Sequence, residues 1–430
     1  LPQGITLCGS VTITPSKPNY IFSPASQTVN NPTTSTPVNF TATLKTIGFP
    51  FASVGVSEVN GRVGITVTRN STSDPATVSF ETSPGTASDR SDFNSTFGTL
   101  QFAAGESTKS ILVLVTDDVL VEGSEQFTVT LKNPTGAELS TSTLTITISD
   151  NDSQANAPNP LSNAGFFVRQ HYQDFLNRAA VDDPIGFNFW TTEITSCSSV
   201  QDSADRASCF AAKHLHVSAA FFLSIEFQQT GYLVHRFYAA SYAPSASRPR
   251  GLPRMGEFLS DTQEIQKGVI VGQLGWEQKL AQNKQDFALA WVNRSAFIAE
   301  HPLNQTADQF VDSLFQTAGV TPTPAERAAA ISAFGAGGTS GRAAALRNVA
   351  ESQSVFDKHY NAAFVLMQYF GYLRRNPDDA PDGNFDGYQF WLDKLNEFNG
   401  DFVKAEMVKA FLLSIEYQQR FGPVNFVLEQ

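Results

Sequence analysis

The sequence predicts two unlike domains in series, a β-sandwich followed by an all-α repeat domain. Three observations predict this. Between about residues 51 and 152, short alternating apolar stretches are separated by turn residues at sandwich-like spacing. From about residue 165 the apolar period becomes helical. The helical part also repeats itself: Ala220-Phe221-Phe222-Leu223-Ser224-Ile225-Glu226 returns as Ala410-Phe411-Leu412-Leu413-Ser414-Ile415-Glu416.

Composition bounds the reading. A chain of 430 residues with 41% hydrophobic content is long enough for two or three cored domains. No apolar run approaches the roughly 18 residues that span a bilayer, so no transmembrane segment is expected. The net charge of -12, from 41 acids against 29 bases, argues against a nucleic-acid partner and suits a cation-rich exterior. The chain starts at Leu1 rather than Met, from which we expect a removed leader and a secreted or cell-surface location. Of the three cysteines, Cys197 and Cys209 flank a polar loop and are expected to pair. Cys8 is then a buried thiol, an intermolecular disulfide or an attachment point. Sequons stand at Asn39, Asn70, Asn94, Asn293 and Asn304.

Taken in order, residues 1–50 are rich in Thr, Ser, Pro and Asn, with short strands such as 10–14 and 38–44. They are too few for an independent core, so they add strands to the next domain or reach another molecule by strand addition. In 51–152 the strands are 64–69, 76–80, 98–102, 110–115, 127–131 and 144–148. Residues 153–164 read as a polar, proline-containing linker. From 165 to 430, two units are clear: Gly186-Phe187-Asn188-Phe189-Trp190 matches Gly387-Tyr388-Gln389-Phe390-Trp391. A degenerate middle copy includes a helix starting at Thr323-Pro324 and ending near Val349-Ser352.

Chemistry concentrates between two strands, where Asp117, Asp118, Glu122 and Glu125 place four carboxylates within nine residues. Such crowding repels unless a cation lies between the acids, and a hard divalent ion with oxygen ligands, calcium above all, answers it. The plain alternative is a solvated acidic turn. The succession Ser57-Glu58, Pro84-Gly85-Thr86-Ala87, Ser91-Asp92-Phe93, Gly98 to Glu106, the acidic stretch and Ile148-Ser149-Asp150-Asn151-Asp152 resembles a Calx-β domain, an immunoglobulin-like sandwich. The resemblance implies calcium as cofactor, held at one tip by Glu58, Asp92, Asp117, Asp118, Glu122, Asp150, Asn151 and Asp152. Asn151 stands where the family pattern has an acid, which lowers the charge of the site. The helical units resemble a repeat of unknown function from bacterial secreted and surface proteins, itself similar to phycobilisome linker repeats.

A second metal loop is expected at Asp382, Asn384, Asp386, Tyr388 and Asp393, which match loop positions 1, 3, 5, 7 and 12 with Gly387 at position 6. The competing reading is a helix-capping acidic loop. No nucleophile elbow, phosphate loop or zincin motif is present, and no catalytic residue is assigned. The expected function is a non-enzymatic, calcium-binding structural or adhesive protein whose partners are surface or matrix proteins, glycans or itself. Calcium at the tip is expected to fix the angle between the domains. Two rivals are a self-assembling fibre or surface-layer subunit, and an enzyme or glycan-processing accessory protein acting at the helical domain.

Overall fold

The computed structural model describes residues 9–30, 37–154 and 157–428, so the expectations for Cys8 lie outside the described residues. At the N-terminal end, β1 (Ser10–Ile13) pairs antiparallel with β3 (Gln27–Asn30), and β2 (Tyr20–Ser23) with β4 (Thr41–Leu44). These two-stranded ribbons have no buried residue and join neither sheet of the sandwich. They are tethered to it through Asn19, whose side chain donates to Glu138.

The sandwich consists of β5 (Thr46–Gly48), β6 (Ser53–Ser57), β7 (Arg62–Arg69), β8 (Ala76–Pro84), β9 (Phe97–Phe102), β10 (Thr108–Leu114), β11 (Glu125–Thr135), β12 (Glu138–Leu139) and β13 (Thr143–Ser149). One sheet runs β10-β7-β5-β12 and the other β6-β13-β11-β8-β9. Alternation builds the core: Val63, Ile65 and Val67 from β7 and Phe127, Val129 and Leu131 from β11 face inward and are buried. The sandwich starts earlier than position 51, because β5 pairs with both β7 and β12. Gly48 is required there, since a Cβ would lie 2.1 Å from Ser140 Oγ and 2.8 Å from Thr141 N.

The rest of the chain is helical around one continuous apolar core. Helix Ser203–Leu223 with its continuation to Gln229 has mean hydropathy 1.2, long and apolar enough to cross a membrane by composition. It breaks at Ser224, whose hydroxyl caps the next helix by accepting from Phe227 N, and its Val217, Phe221 and Phe222 are buried in the core. Cys197 and Cys209 form the expected disulfide, with Cα atoms 5.7 Å apart. Residues 324–350 form two helices rather than one, Pro324–Phe334 and Gly338–Ala350, broken where Gly335 and Gly337 take φ of 51° and 78°.

The duplication is visible in local geometry. Asn177 and Arg374 occupy matching positions, both left-handed with φ of 46° and 52°. Ser224 and Ser414 cap matching short helices. Phe175 and Tyr372, themselves twins, pack edge to face with centroids 5.0 Å apart, so the two units touch through equivalent residues.

Residues 157–164 of the expected linker are not a free tether. Asn159 is buried, and its side chain donates to the carbonyls of Gln418 and Pro423 at 2.9 and 3.0 Å. The sandwich is docked on the helices: Asn94 donates to Gln173 O at 2.7 Å, Gln263 bonds both Phe97 N and Ser95 O, and Val119 N donates to Phe421 O. Arg420 lies between the halves, donating to Arg90 O at 2.6 Å and gripping buried Asp174 with two nitrogens. The sequon asparagine Asn94 is therefore consumed by this interface.

Candidate metal centre

Four chain segments converge at the end of the sandwich nearest the helices. Glu58 follows β6 and opens a short 3-10 turn closed by Gly61 at φ 64°. Asp92 sits in the 88–94 turn, with its Oδ2 accepting from Ser88 N at 2.6 Å. The next residue, Phe93, bridges to Val115 and stacks on Phe127 at 4.1 Å, which seats the turn on the core. The acidic stretch 117–124 crosses between β10 and β11, and Asp150 to Asp152 follow β13.

Asp150 organises the tip. Its Oδ2 accepts from the N–H groups of Glu122 and Gly123, both at 2.8 Å, and its Oδ1 from Asp152 N at 2.6 Å. These bonds, the Gly123 N–H first, hold its carboxyl below the usual aspartate range.

The carboxylates fall into two groups. Ligand oxygens of Glu58, Asp150 and Asp152 lie within 4.8 Å of one another, as do those of Asp92, Glu122 and Glu125. Asp118 is buried and feels both groups: burial first, then Glu122, Glu58 and Asp92, push its carboxyl up to about 8. Burial, with Asp150, Asp152 and Asp117 adding to it against the opposing Asn151 N–H, raises Glu58 to about 7. Burial and Asp92 raise Glu125 to about 8, while Glu122 and Asp152 are also raised, burial again being the largest cause.

Among the described residues, none of these eight acids pairs with Lys, Arg or His. Asp92 Oδ1 and Asp152 Oδ2 are buried without a hydrogen-bond partner. Buried carboxylate oxygens that face one another and no cationic side chain are what a divalent ion with an oxygen shell satisfies, so the donor set fits calcium.

The placement differs from the sequence expectation in two respects. Glu125 joins the second group although the ligand set leaves it out. As the first residue of β11 it shares the inward parity of Phe127 and Val129, and that alternation could have identified it. Asn151 acts as a strut: its N–H donates to Glu58, its Oδ1 accepts from Val59 N at 3.1 Å, and its Nδ2 reaches Asp117 at 3.4 Å.

The residues of the second loop are engaged by other partners. Asp382 is ion-paired with buried Arg375 at 2.9 Å. A helix already begins at Asp386, which puts Tyr388 in the core and Asp393 on its third turn, hydrogen-bonded to Gln389. Asn384 and Asp386 bond each other and start that helix. A helix starting at loop position 5 cannot wrap positions 1 to 12 around one ion. The acids cap and pair instead.

A two-sheet sandwich whose tip loops pool eight carboxylates defines a class, the immunoglobulin-like domains with an acidic, metal-suited end. Within that class, residues 42–152 match the Calx-beta domain, and this segment belongs to that family. Over 99 residues the chain is 40% identical to the extracellular matrix organizing protein FRAS1 of Mus musculus and 38% identical to that of Homo sapiens. The aligned part takes in 22% of this chain and spans only 2% of the length of those relatives. Among solved structures, the apo-form Calx CBD1 domain is 32% identical, covering 25% of this chain and 98% of that one, with a TM-score of 0.25. The calcium binding domain CBD12 of CALX1.1 is 33% identical, covering 25% and 46%, with a TM-score of 0.24.

Proposed function

We propose that this is an extracellular structural or adhesive protein whose Calx-beta tip binds calcium. One observation carries the reading: two carboxylate groups assembled from segments remote in sequence, with buried oxygens that no cationic side chain among the described residues satisfies. Glu58, Asp150 and Asp152 would hold one ion, and Asp92, Glu122 and Glu125 another, with Asp118 facing both. The ion supplies positive charge that lets these acids stay ionised while crowded. The protein supplies the rest, through Asp150 and Asn151, which fix the loops before binding. The matrix relatives support the extracellular setting.

The tip also touches the interface. Arg90 and Val119, flanking the ligand loops, are the residues that bond Arg420 and Phe421. An ion held by these loops would brace an existing contact rather than order a loose hinge. Calcium titration of the full chain by calorimetry tests the proposal. Two ions per chain are expected, falling to one in Glu125→Gln; no heat and no binding at millimolar calcium would defeat it.

A further inference from the structure

The two clear helical units share a polar cluster, but only one is internally complete. In the third unit, Arg375 is saturated. Its Nε and Nη2 take both oxygens of Glu416 at 2.6 and 3.0 Å, Nη2 also reaches Asp382, and Nη1 donates to the carbonyls of Asn376 and Asp379. In the first unit, Arg178 makes one hydrogen bond, from Nη2 to Glu226 Oε2 at 2.8 Å, with Asp183 at 3.6 Å. Its Nε and Nη1 are buried without an acceptor. The cause is length: the connection from Arg375 to Asp382 advances seven positions, whereas that from Arg178 to Asp183 advances five. The shorter loop cannot curl its carbonyls onto the guanidinium.

A cavity of about 190 Å³ lies beside this incomplete cluster, lined by Tyr172, Arg178, Asp183, Trp190, Ile225 and Glu226. Glu226 is only 5% exposed and keeps Oε1 out of its ion pair. The lining residue Ile225 is 58% exposed, and Phe189, whose ring lies 4.8 Å from that of Trp190, is 55% exposed. Their twins Phe390 and Ile415 are 57% and 62% exposed, so the duplication has kept these bulky apolar residues in water.

The lining selects a ligand class. Two carboxylates around one guanidinium leave no net positive charge for a phosphate or carboxylate ligand, and Arg178 already stands between the acids that a second cation would have to bridge. What remains is a neutral molecule with several hydroxyls, able to donate to Glu226 and accept at the same ring, and with an apolar face for Trp190. We propose that this cavity binds one ring of a neutral carbohydrate, with hydroxyls on Glu226 and Asp183 and a C–H face on Trp190. Its small volume admits one ring, and the exposed Phe189 shoulder gives the rest of a glycan somewhere to lie.

The test is saturation-transfer NMR on the full chain with methyl α-mannopyranoside, methyl β-glucopyranoside, methyl β-galactopyranoside and N-acetylglucosamine. Glucuronic acid and glucosamine serve as charged controls, each probe at about 10 mM for a millimolar site. At least one neutral sugar is expected to bind. Trp190→Ala should weaken it at least about tenfold, as should Ile225→Lys, a change at an exposed mouth position that leaves the core intact. Trp391→Ala, the twin, should leave binding unchanged. Absence of transfer to every neutral sugar, binding that survives both first-unit variants, or preference for a charged control would overturn the proposal. The cavity lining shares no residue with the acidic tip, and running the series in calcium and in chelator separates its failure from that of the calcium reading.

Discussion

Asp150→Asn is the most informative single change at the tip. Asp150 accepts three backbone N–H groups, from Glu122, Gly123 and Asp152. Asparagine has one acceptor oxygen, so whichever way it turns, its NH2 faces a backbone N–H, and the surviving bonds are no longer charge-assisted. A hydrogen bond to a charged group contributes about 1.5–3 kcal/mol. Against that, removing the charge relieves the repulsion that raises Glu58 and Asp152. The net loss without calcium is on the order of 1–2 kcal/mol. With calcium at about a hundred times its Kd, an occupied site adds about 2.7 kcal/mol, which the variant also forfeits. Substitution should therefore cost about 4–5 kcal/mol in calcium and 1–2 kcal/mol in chelator. Urea unfolding followed by circular dichroism in both conditions measures the difference. If the two costs agree within about 0.5 kcal/mol, the Glu58–Asp150–Asp152 group holds no ion and the reasoning fails.

Four further outcomes are expected. Glu58, Asp118 and Glu125 are raised above their unfolded values, so calcium-free stability should fall as pH rises from about 5 through 8, and calcium must displace protons at lower pH. For the Glu58 site, affinity should weaken about tenfold between pH 8 and pH 6, and equal affinities by calorimetry would contradict this. Arg420→Met strands the buried Asp174 carboxylate and should cost about 3–5 kcal/mol, with faster proteolysis near residue 90; an unchanged melting temperature would refute the role given to this pair. Replacing Cys197 and Cys209 together by Ser removes a cross-link across 12 positions and should cost about 3 kcal/mol in chemical unfolding. Asp386→Ala should leave calcium stoichiometry untouched, because that residue starts a helix rather than ligating an ion.

Much of this architecture could be read in the sequence because it follows from periodicity. Two-residue alternation marks β7, β8, β11 and β13, and the repeated Ser-Ile-Glu segment marks the paired helical units. What escaped detection depends on contacts between distant side chains. Thr46–Gly48 is too short to announce itself as a strand, and its place depends on Gly48 passing close to Ser140. The residues that dock the domains, Asn94, Gln263 and Arg420, carry no local pattern. The 382–393 loop failed for the opposite reason. Its spacing was correct, but Arg375, seven residues before the loop, had already claimed its first ligand. Asn151 illustrates the same limit at the acidic tip, where its amide groups act as a brace.

The side-by-side, parallel pairing of β6 with β13 has a mechanical consequence. The chain passes from β5 in the other sheet into β6 and leaves along β13, so a pull between the start of β6 and the end of β13 slides these strands past each other lengthwise. All their hydrogen bonds are then loaded together, a shear geometry that resists force better than unzipping one bond at a time. Glu58 and Asp150 stand just beyond the two strand ends, so an ion held between them would act as a rivet where the load leaves the domain.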